Sequence, residues 1–422
     1  MKIIYVTAYL PHGSDEAFLV PEINQLIRSG HEVLVVPRSP RGRILHGHEL
    51  VKWTRREALH SIRVLKAAVA ETLAAPRQTA RAVRFLFGGR SPMVAIKNLA
   101  IVPKALWLAR VAVRWRADHI HCHWAGTTAT MTMLASWRSC IPWSFTAHRW
   151  DIVENNLLAR KAASASFVRL ISGDGLRIAR ALGLGSANNT RVIHMGVPIP
   201  NRVRRGSGPR PVVLCPARLV EVKGHRFLLE AWKILQHRDL DAELWLAGPG
   251  ELRPRLETLS RALGLTGSVK FLGSVPHDEL LKIYAEGPIS VVVLASVDLG
   301  SGVHEGIPVA LIEAMSYGIP VVATATGGTP ELLVPGTGLL VPPADPTALA
   351  DALQTLLRDS ELRERLGDSG RQRVLEAHDI FQVAAELVKE FEAATRTAPE
   401  AGDGPSVVDK IRALRCDLPY QT

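Results

Sequence analysis

The chain has 422 residues, of which 47% are hydrophobic and 22% are charged, and this composition excludes a disordered protein. Its length exceeds what one ordinary hydrophobic core holds and predicts two domains. The net charge is +11, but the sequence lacks the interleaved aromatic residues and motifs of a nucleic-acid binder, so we expect no nucleic-acid partner.

The positive charge is concentrated in the first half. Residues 1–200 hold 27 Lys and Arg against 11 Asp and Glu, a net charge of +16, whereas the remainder carries −5. This asymmetry indicates either a basic protein without a special partner or a first half that faces something anionic, such as a lipid surface.

Cysteine usage and hydropathy bear on the compartment. The opening MKIIYVTAYLP has too short an apolar run for a signal peptide and predicts a first strand. No run approaches about 18 uncharged apolar residues, so we expect no membrane span. The cysteines form no CxxC pair, which favours a reducing compartment over a disulfide framework; they are Cys122, Cys140, Cys215 and Cys416.

In the first half, apolar runs alternate with helical patterns, as is typical of βαβ units with parallel sheets. The predicted strands are KIIYVTAYL, HEVLVVPR, HIHCHW and IPWSFTAH, and the first helix is AFLVPEINQLIRSG, ending at Gly30. Residues 52–116, rich in Ala, Arg, Leu and Trp, predict several amphipathic helices broken near Pro76, Gly88-Gly89, Pro92 and Pro103.

A second alternating series follows the linker-like segment 201–211. Its predicted strands are PVVLCPAR, AELWLAGPG, VKFLGSV, ISVVVLAS, PVVATA and GLLVPP; residues 347–395 are predicted helical and 397–422 a polar tail. We expect Rossmann-like domains at 1–200 and 212–380, with a helix in 381–422 that packs back on the first domain. Parallel sheets facing across a cleft would bind a ligand beyond the carboxyl ends of their strands.

The stretch HEGIPVALIEAMSYGIPVVATATGGTPE, which starts at His304, is the most informative in the chain. It places Glu305 in a loop and Glu313 inside an apolar helix, eight residues apart. The two carboxylates can reach two ends of a long ligand, and the helix N-terminus beside them suits a phosphate. The arrangement suggests a site for a sugar joined to a nucleotide diphosphate.

Two cations follow the first strand of the second domain. Arg218 and Lys223 lie at a predicted strand-to-helix turn, where they could neutralise a diphosphate, Arg as a planar fork and Lys as a point charge. The alternative is a solvated pair on a loop.

The first domain offers weaker candidates. Gly13 allows the backbone to approach a ligand, although a lone glycine is often only a turn. His148, at a strand end, could donate a hydrogen bond to a sugar hydroxyl or be an ordinary buried or surface histidine. Asp151 could orient His148 or cap a helix.

Three histidines on the third predicted strand raise the question of a metal. His119, His121 and His123 would share one face, but no fourth ligand is obvious, so we predict no metal site and expect His121 and His123 to line the cleft. A dinucleotide GxGxxG fingerprint, a P-loop and a GxSxG elbow are absent from the sequence.

Taken together, these motifs resemble the retaining GT-B glycosyltransferases of family 4 over nearly the whole chain. The likeness is strongest in 212–345, with R-x4-K at Arg218 and Lys223, E-x7-E at Glu305 and Glu313, and GIPVVAT-x-x-GG-x-PE at 318–331. VDLGSGVHEGIPVALIEAM and FTAHRWDI look most like the branch that builds bacterial exopolysaccharides such as colanic acid.

The resemblance implies a role for each candidate. Arg218 and Lys223 would bind the donor diphosphate, Glu305 the donor-sugar hydroxyls and Glu313 the ribose hydroxyls, with no cofactor and no divalent metal. His148 would contact the sugar near its 6-position. The backbone would contribute donor contacts at Gly13, Val275, Gly306 and Ile307, with Val275 near the base.

Two departures from the family pattern affect loop contacts. Pro308 replaces a glycine found in many relatives, so one N–H is missing, and His12-Gly13 stands where many have Gly-Gly.

The implied reaction moves a hexose from a nucleotide-diphosphate sugar to a saccharide or lipid-linked saccharide, with retention, in exopolysaccharide or cell-surface glycan synthesis. The expected location is cytoplasmic, with peripheral contact to the anionic inner membrane face through the basic first half. Alternatives on the same fold are a sugar-nucleotide epimerase, a phosphorylase or a nucleotide-sugar-binding subunit.

Overall fold

The computed structural model describes residues 1–13, 16–44, 46–88, 91–184, 189–201, 210–300 and 304–396. The chain divides into two compact units. The N-terminal unit comprises Met1–Ile171, Gly175–Ile193 and the segment from Ala384, and the C-terminal unit comprises Ser172–Asp174 and His194–Val383. Most of the predicted linker (202–209) and the predicted polar tail (397–422) lie outside the described residues.

The N-terminal unit is built on a parallel six-stranded sheet in the order β2-β1-β3-β4-β5-β6. Every residue of β3 and β4 is buried, because helices cover both faces of such a sheet. The strands are β1 Lys2–Thr7, β2 Glu32–Pro37, β3 His119–His123, β4 Trp143–Ala147, β5 Phe167–Leu170 and β6 Thr190–Val192. The first four match predicted strands, whereas β5 and β6 were not predicted.

Eight helices follow or connect these strands in the described part of the first 184 residues. They are α1 Val20–Arg28, α2 Ile62–Ala74, α3 Pro76–Phe85, α4 Pro92–Trp115, α5 Thr127–Ser139, α6 Arg149–Glu154, α7 Leu158–Ser164 and α8 Gly173–Ala179. From the far end of the chain, Phe391 packs its ring against His119 and Phe167 of the N-terminal sheet, with centroids 4.9 and 5.8 Å away.

The predicted break of helix α4 at Pro103 is wrong. The helix runs through Pro103 without a break, because it packs along α2 and α5 and this packing offsets the hydrogen bond that a proline removes. By length and composition alone α4 is also long and apolar enough to cross a membrane, and the absence of a membrane span stays a prediction. In the structure 44% of its most apolar window is buried within the protein.

The C-terminal unit has a second parallel sheet, in the order β12-β11-β10-β7-β8-β9. Its strands coincide with the six predicted runs. They are β7 Val212–Pro216, β8 Glu243–Ala247, β9 Val269–Gly273, β10 Ile289–Leu294, β11 Val321–Thr324 and β12 Leu339–Val341. The first strand, β7, lies between β8 and β10, so the strand order reverses there, and ligands of such sheets bind beside that reversal.

The helices of this unit alternate with its strands and then close the chain. They are α9 His225–His237, α10 Arg253–Ala262, α11 His277–Glu286, α12 Val309–Ser316, α13 Thr329–Leu332, α14 Pro346–Arg358, α15 Ser360–Ala377 and α16 Ile380–Arg396, which begins in this unit. Its core is formed by the largely buried strands β7, β10 and β11 and by apolar side chains of the helices packed against them.

Candidate active site in the C-terminal unit

The loops that follow β7 and β10 meet at the reversal of strand order. Lys223, after β7, forms an ion pair with Glu305, after β10, through Nζ and Oε2. Ser296 Oγ donates a second hydrogen bond to the same carboxylate oxygen, at 3.3 Å. The Lys223 and Glu305 side chains remain 20% and 17% exposed, so a ligand can reach both.

A glycine makes this meeting possible. Gly224 has a φ of +62°, and a Cβ there would lie 1.9 Å from the carbonyl oxygen of Ala295. The Val297 N–H donates to the Val222 carbonyl at 2.9 Å, so the two loops pack backbone to backbone. The residue after Lys223 must therefore be glycine for the lysine to reach Glu305.

The Gly327-Gly328 turn after β11 packs against the backbone of the Glu305 loop. A Cβ at Gly327 would lie 1.8 Å from the Glu305 carbonyl oxygen, and one at Gly328 would lie 2.8 Å from the Ile307 side chain. His304 Nδ1 also donates to the Glu305 carbonyl at 2.8 Å. The glycine pair thus fixes the backbone of Glu305, Gly306 and Ile307.

Arg218 is exposed on the same loop as Lys223 and has no ion-pair partner among the residues described. The backbone next to it is held firmly, because the Leu219 N–H donates to the Pro249 carbonyl at 2.8 Å. A Cβ at Gly250 would lie 2.2 Å from the Leu219 carbonyl oxygen, so the glycines of the AGPGE turn serve this contact. The guanidinium is available to an anion.

Glu313 lies within α12 and is 6% exposed. Its Oε1 lies 2.6 Å from Nε2 of His277, at the start of α11. Burial alone would lower the pKa of His277, but the hydrogen bond and charge of Glu313, with the charge of Asp278, raise it above the usual value. Val275, the predicted base contact, lies two residues before His277 and is half-buried.

His277 was missed by the sequence analysis. The available signal was its position in VPHDEL, directly after a strand and at a helix start, where the carboxyl ends of parallel strands gather site residues.

His148 lies at the end of β4 in the N-terminal unit and is the N-cap residue of α6. Asp151 accepts from the His148 N–H at 2.7 Å and from the Ala125 N–H, so Asp151 caps the backbone rather than binding the ring. The His148 ring lies against Trp124, with centroids 4.5 Å apart. Burial lowers the pKa of His148 to about 3 and raises that of Asp151 to about 7.

The expectation that His121 and His123 line a cleft is wrong, because both are fully buried in β3. His121 hydrogen-bonds to Ser144 at 2.8 Å and to Thr146 at 3.0 Å. His119 also contacts the Ser144 hydroxyl, at 2.7 Å, and burial lowers its pKa to about 3. These side chains link β3 to β4 inside the protein.

Gly13 has the left-handed φ, +74°, expected of a turn glycine, and its N–H donates to the Arg43 carbonyl at 3.0 Å. Its predicted ligand contact would require that hydrogen bond to be exchanged. The preceding loop is held by the buried Glu16, which accepts three backbone N–H groups and the Trp124 indole N–H; the backbone donors are Ala8, Tyr9 and Leu10.

Comparisons with known proteins confirm the resemblance found in the sequence. Residues 201–373 match the family described as glycosyl transferases group 1. The putative colanic acid biosynthesis glycosyltransferase WcaL of Salmonella typhimurium is 28% identical over 410 residues, which is 91% of this chain and 97% of that protein. The transferase class predicted for the chain is thereby supported in its C-terminal domain and in a relative of similar length.

Other relatives match a shorter segment. A GDP-mannose-dependent α-(1-6)-phosphatidylinositol monomannoside mannosyltransferase of Mycolicibacterium smegmatis is 36% identical over 179 residues, which is 42% of this chain and 46% of that protein. The chain thus aligns with less than half the length of that relative.

Solved structures confirm the predicted fold class, α/β with two parallel sheets of the GT-B type. Anabaena HepE in complex with UDP-glucose superposes with a TM-score of 0.68 at 19% identity, over 93% of this chain and all of that one. A sucrose-phosphate synthase from Thermosynechococcus elongatus gives the same TM-score at 20% identity, over 94% of this chain and all of that one.

Proposed function

We propose that this chain is a retaining glycosyltransferase that moves a hexose from a nucleotide-diphosphate sugar to a saccharide or lipid-linked saccharide. The observation that carries the proposal is the Lys223–Glu305 pair at the reversal of strand order, beside the exposed Arg218. The relatives support it, since they include proteins named for colanic acid and amylovoran biosynthesis. Exopolysaccharide or cell-surface glycan synthesis is the process that we propose.

The positive groups bind the donor diphosphate in this proposal. Arg218 presents a planar fork and Lys223 a compact charge to the phosphate oxygens, whose negative charge grows as the sugar leaves. When Lys223 turns to the phosphate, Glu305 is released to accept hydrogen bonds from the sugar hydroxyls. Until a ligand binds, the ion pair holds the Lys223 and Glu305 side chains next to each other.

The nucleoside is held by the second carboxylate. Glu313 accepts from the ribose hydroxyls through the oxygen that His277 leaves free, and His277 fixes its orientation at 2.6 Å. The backbone near Val275, Gly306 and Ile307 supplies the remaining donor contacts. These contacts are made equally to substrate and product, so they set affinity more than turnover.

The chemical step exchanges one bond at the anomeric carbon. The bond from this carbon to the β-phosphate oxygen breaks, and a bond to the acceptor oxygen forms on the same face of the ring. The departing phosphate takes the acceptor proton. Catalysis then comes from positioning and from stabilising the charge of the leaving group, with His148 contacting the donor sugar.

A lipid-linked acceptor is supported by the surface of the N-terminal unit. Along α2, four apolar residues spaced three or four apart are 42–76% exposed, and three more are exposed, one just after α3 and two in the first turns of α4. We refer to these seven exposed residues as the apolar stripe: Ile62, Leu65, Val69, Leu73, Phe87, Met93 and Ile96. Combined with the net charge of +16 in residues 1–200, it suits an anionic membrane and a cytoplasmic location on the inner leaflet.

The direct test is transfer by the purified full chain. UDP-, GDP- and ADP-hexoses are supplied with and without lipid-linked saccharides, and NMR of the product identifies the anomeric configuration. Lys223→Ala and Glu305→Ala are expected to lower kcat/KM by about a hundredfold or more, because each removes a preorganised charge.

The matched control is Lys282→Ala, which removes an exposed lysine that pairs with Glu279 at the surface of the same unit. It should transfer like the wild type. Near wild-type transfer by Lys223→Ala, or an epimerised nucleotide sugar formed without acceptor, would refute the proposal.

A further inference from the structure

A network of buried, hydrogen-bonded polar side chains crosses the N-terminal unit and ends at His148. It starts at Arg169 on β5, whose guanidinium donates to Glu22 Oε2 at 2.7 Å and to the Ile193 carbonyl at 2.8 Å. Both Arg169 and Glu22 are inaccessible to solvent. The other Glu22 oxygen, Oε1, accepts from the Tyr5 hydroxyl at 2.5 Å.

The hydrogen-bonded network continues through two histidines. The Tyr5 hydroxyl oxygen lies 3.3 Å from Nδ1 of His123, and Nε2 of His123 lies 2.5 Å from Nε2 of His148. Tyr5 and His123 are fully buried in β1 and β3. None of these groups takes part in the proposed contact between His148 and the donor sugar.

The hydrogen-bond inventory fixes where each proton lies. Tyr5 has one proton and donates it to Glu22, so toward His123 its oxygen accepts and His123 Nδ1 must carry a proton. A neutral imidazole carries only one, so His123 Nε2 is an acceptor. His148 must then donate from Nε2, which leaves its Nδ1 without a proton.

We propose that Tyr5, Glu22, Arg169 and His123 are positioning residues that hold His148 as the neutral tautomer protonated on Nε2. The backbone of His148 is held separately, because its N–H donates to Asp151 at 2.7 Å. Burial also lowers the pKa of His148 to about 3 and that of His123 well below its usual value.

The consequence for the reaction rests on the proposed function. A His148 ring without a proton on Nδ1 can accept a hydrogen bond from a sugar hydroxyl but cannot donate one from that nitrogen. This reverses the expectation from the sequence, in which His148 donates. An uncharged ring also leaves the charge of the donor diphosphate to be neutralised by other groups.

The tautomer is measured directly by NMR of the full chain labelled with 15N-histidine at neutral pH. We expect a proton on Nδ1 of His123 and on Nε2 of His148. Tyr5→Phe removes the acceptor of His123 Nδ1, so both histidines should change their 15N shifts. A wild-type His148 that is charged or protonated on Nδ1, or Tyr5→Phe signals that do not move, would overturn the proposal.

Ser144→Ala is the matched control, because it removes an equally buried hydroxyl that binds His119 and His121 in the same sheet. It should lower the melting temperature while leaving the His148 signals in place. If Tyr5→Phe does not fold, the wild-type spectrum alone decides the assignment. The spectrum is recorded without turnover, so failure of the proposed reaction would not be confused with failure of the proposed hydrogen-bonded network.

Kinetics supply a second readout. Tyr5→Phe is expected to lower kcat about threefold to tenfold, the effect of one misplaced hydrogen bond, with the affinity for the free nucleoside diphosphate unchanged. Equal losses in nucleotide affinity and turnover would indicate a merely structural role and contradict positioning at His148.

Discussion

Gly327 shows how one residue without a side chain controls the position of a charged one. Its φ is +52°, and its backbone lies where any Cβ would overlap the Glu305 carbonyl. The space that the glycine leaves is filled by the loop that carries Glu305, Gly306 and Ile307. A change at Gly327 therefore acts on the site through the backbone, with no ligand contact of its own.

Gly327→Ala is expected to reduce kcat/KM by more than tenfold, because the Glu305 loop must move to admit the methyl group. The control is Gly336→Ala, since Gly336 also has a positive φ, +87°, but has open space around its Cβ position. Both variants should lose about 1–2 kcal/mol of stability from the left-handed backbone. Equal activity of the two variants would contradict this role of Gly327.

The His277–Glu313 contact predicts a pH dependence. The pKa of His277 is raised in the folded chain above its usual 6.5. The contact therefore stabilises the folded state fully below pH 6.5, and this stabilisation is lost as the pH rises through the folded pKa. The melting-temperature difference between wild type and His277→Gln should thus be larger at about pH 5.5 than at about pH 8.5.

His237→Gln provides the control, because His237 is exposed at the end of α9 in the same unit. Its difference from the wild type should stay small at both pH values. A His277→Gln difference that grows with pH would show that the raised pKa is wrong.

Among individual residues, the sequence predicted those site residues that lie close together along the chain. Arg218 and Lys223 are five residues apart, and Glu305 and Glu313 are eight apart, so their spacing alone defined candidates. His277 and Glu313 are 36 residues apart, and Tyr5 and His123 are 118 apart. Such pairs depend on which strands become neighbours, which no single stretch of sequence specifies.

At the scale of elements, strands with continuous apolar runs were predictable and short polar ones were not. All six strands of the C-terminal sheet were predicted, several of them from apolar runs such as VVLCP and ISVVVL. β5, FVRL, and β6, TRV, each carry an arginine in a strand of only four and three residues. The arginine in β5 is Arg169, whose partner Glu22 lies on α1, 147 residues away.

Because the Arg169–Glu22 pair joins strand β5 to helix α1 inside the N-terminal unit, breaking it should destabilise this unit. Arg169→Leu leaves Glu22 buried and unpaired and should cost about 3–5 kcal/mol of unfolding free energy, measured by urea denaturation. The double variant Glu22→Leu, Arg169→Leu should recover much of the loss. A double variant no more stable than Arg169→Leu would contradict pairing as the reason.

Helix α4 illustrates the limit of element prediction from breakers. Pro103 predicted a break because it lacks an N–H, but the residues beside it are held by α2 and α5. Ile101, Lys104 and Ala105 are buried around the proline. Tertiary packing therefore decided the outcome that the local rule left open.

At the scale of the whole molecule, the proposed membrane association combines charge with the apolar stripe. The first 200 residues carry +16, and the stripe of α2 to α4 exposes large apolar side chains among basic ones. Electrostatic attraction would bring this surface to an anionic bilayer, and apolar insertion would hold it there. This association is the physical basis for proposing a lipid-linked acceptor.

Vesicle flotation tests the association. The full chain should float with vesicles containing phosphatidylglycerol, and less so with phosphatidylcholine alone or at high salt, which screens surface charges. Leu73→Asp should reduce the bound fraction about tenfold, because Leu73 is 76% exposed and an inserted leucine contributes roughly 1.5–3 kcal/mol. Phe381→Asp, at a 61% exposed position on α16, should bind like the wild type. Vesicle binding that depends neither on lipid charge nor on Leu73 would contradict the proposed membrane association.

The central claim concerns where a nucleotide-diphosphate sugar binds, and a crystal structure of the complex tests it most directly. We expect the diphosphate to contact Arg218 and Lys223, the sugar to contact Glu305 in place of Lys223, and the ribose to contact Glu313 beside His277. A nucleotide sugar bound away from the carboxyl ends of β7 and β10, with the Lys223–Glu305 pair intact, would contradict the claim.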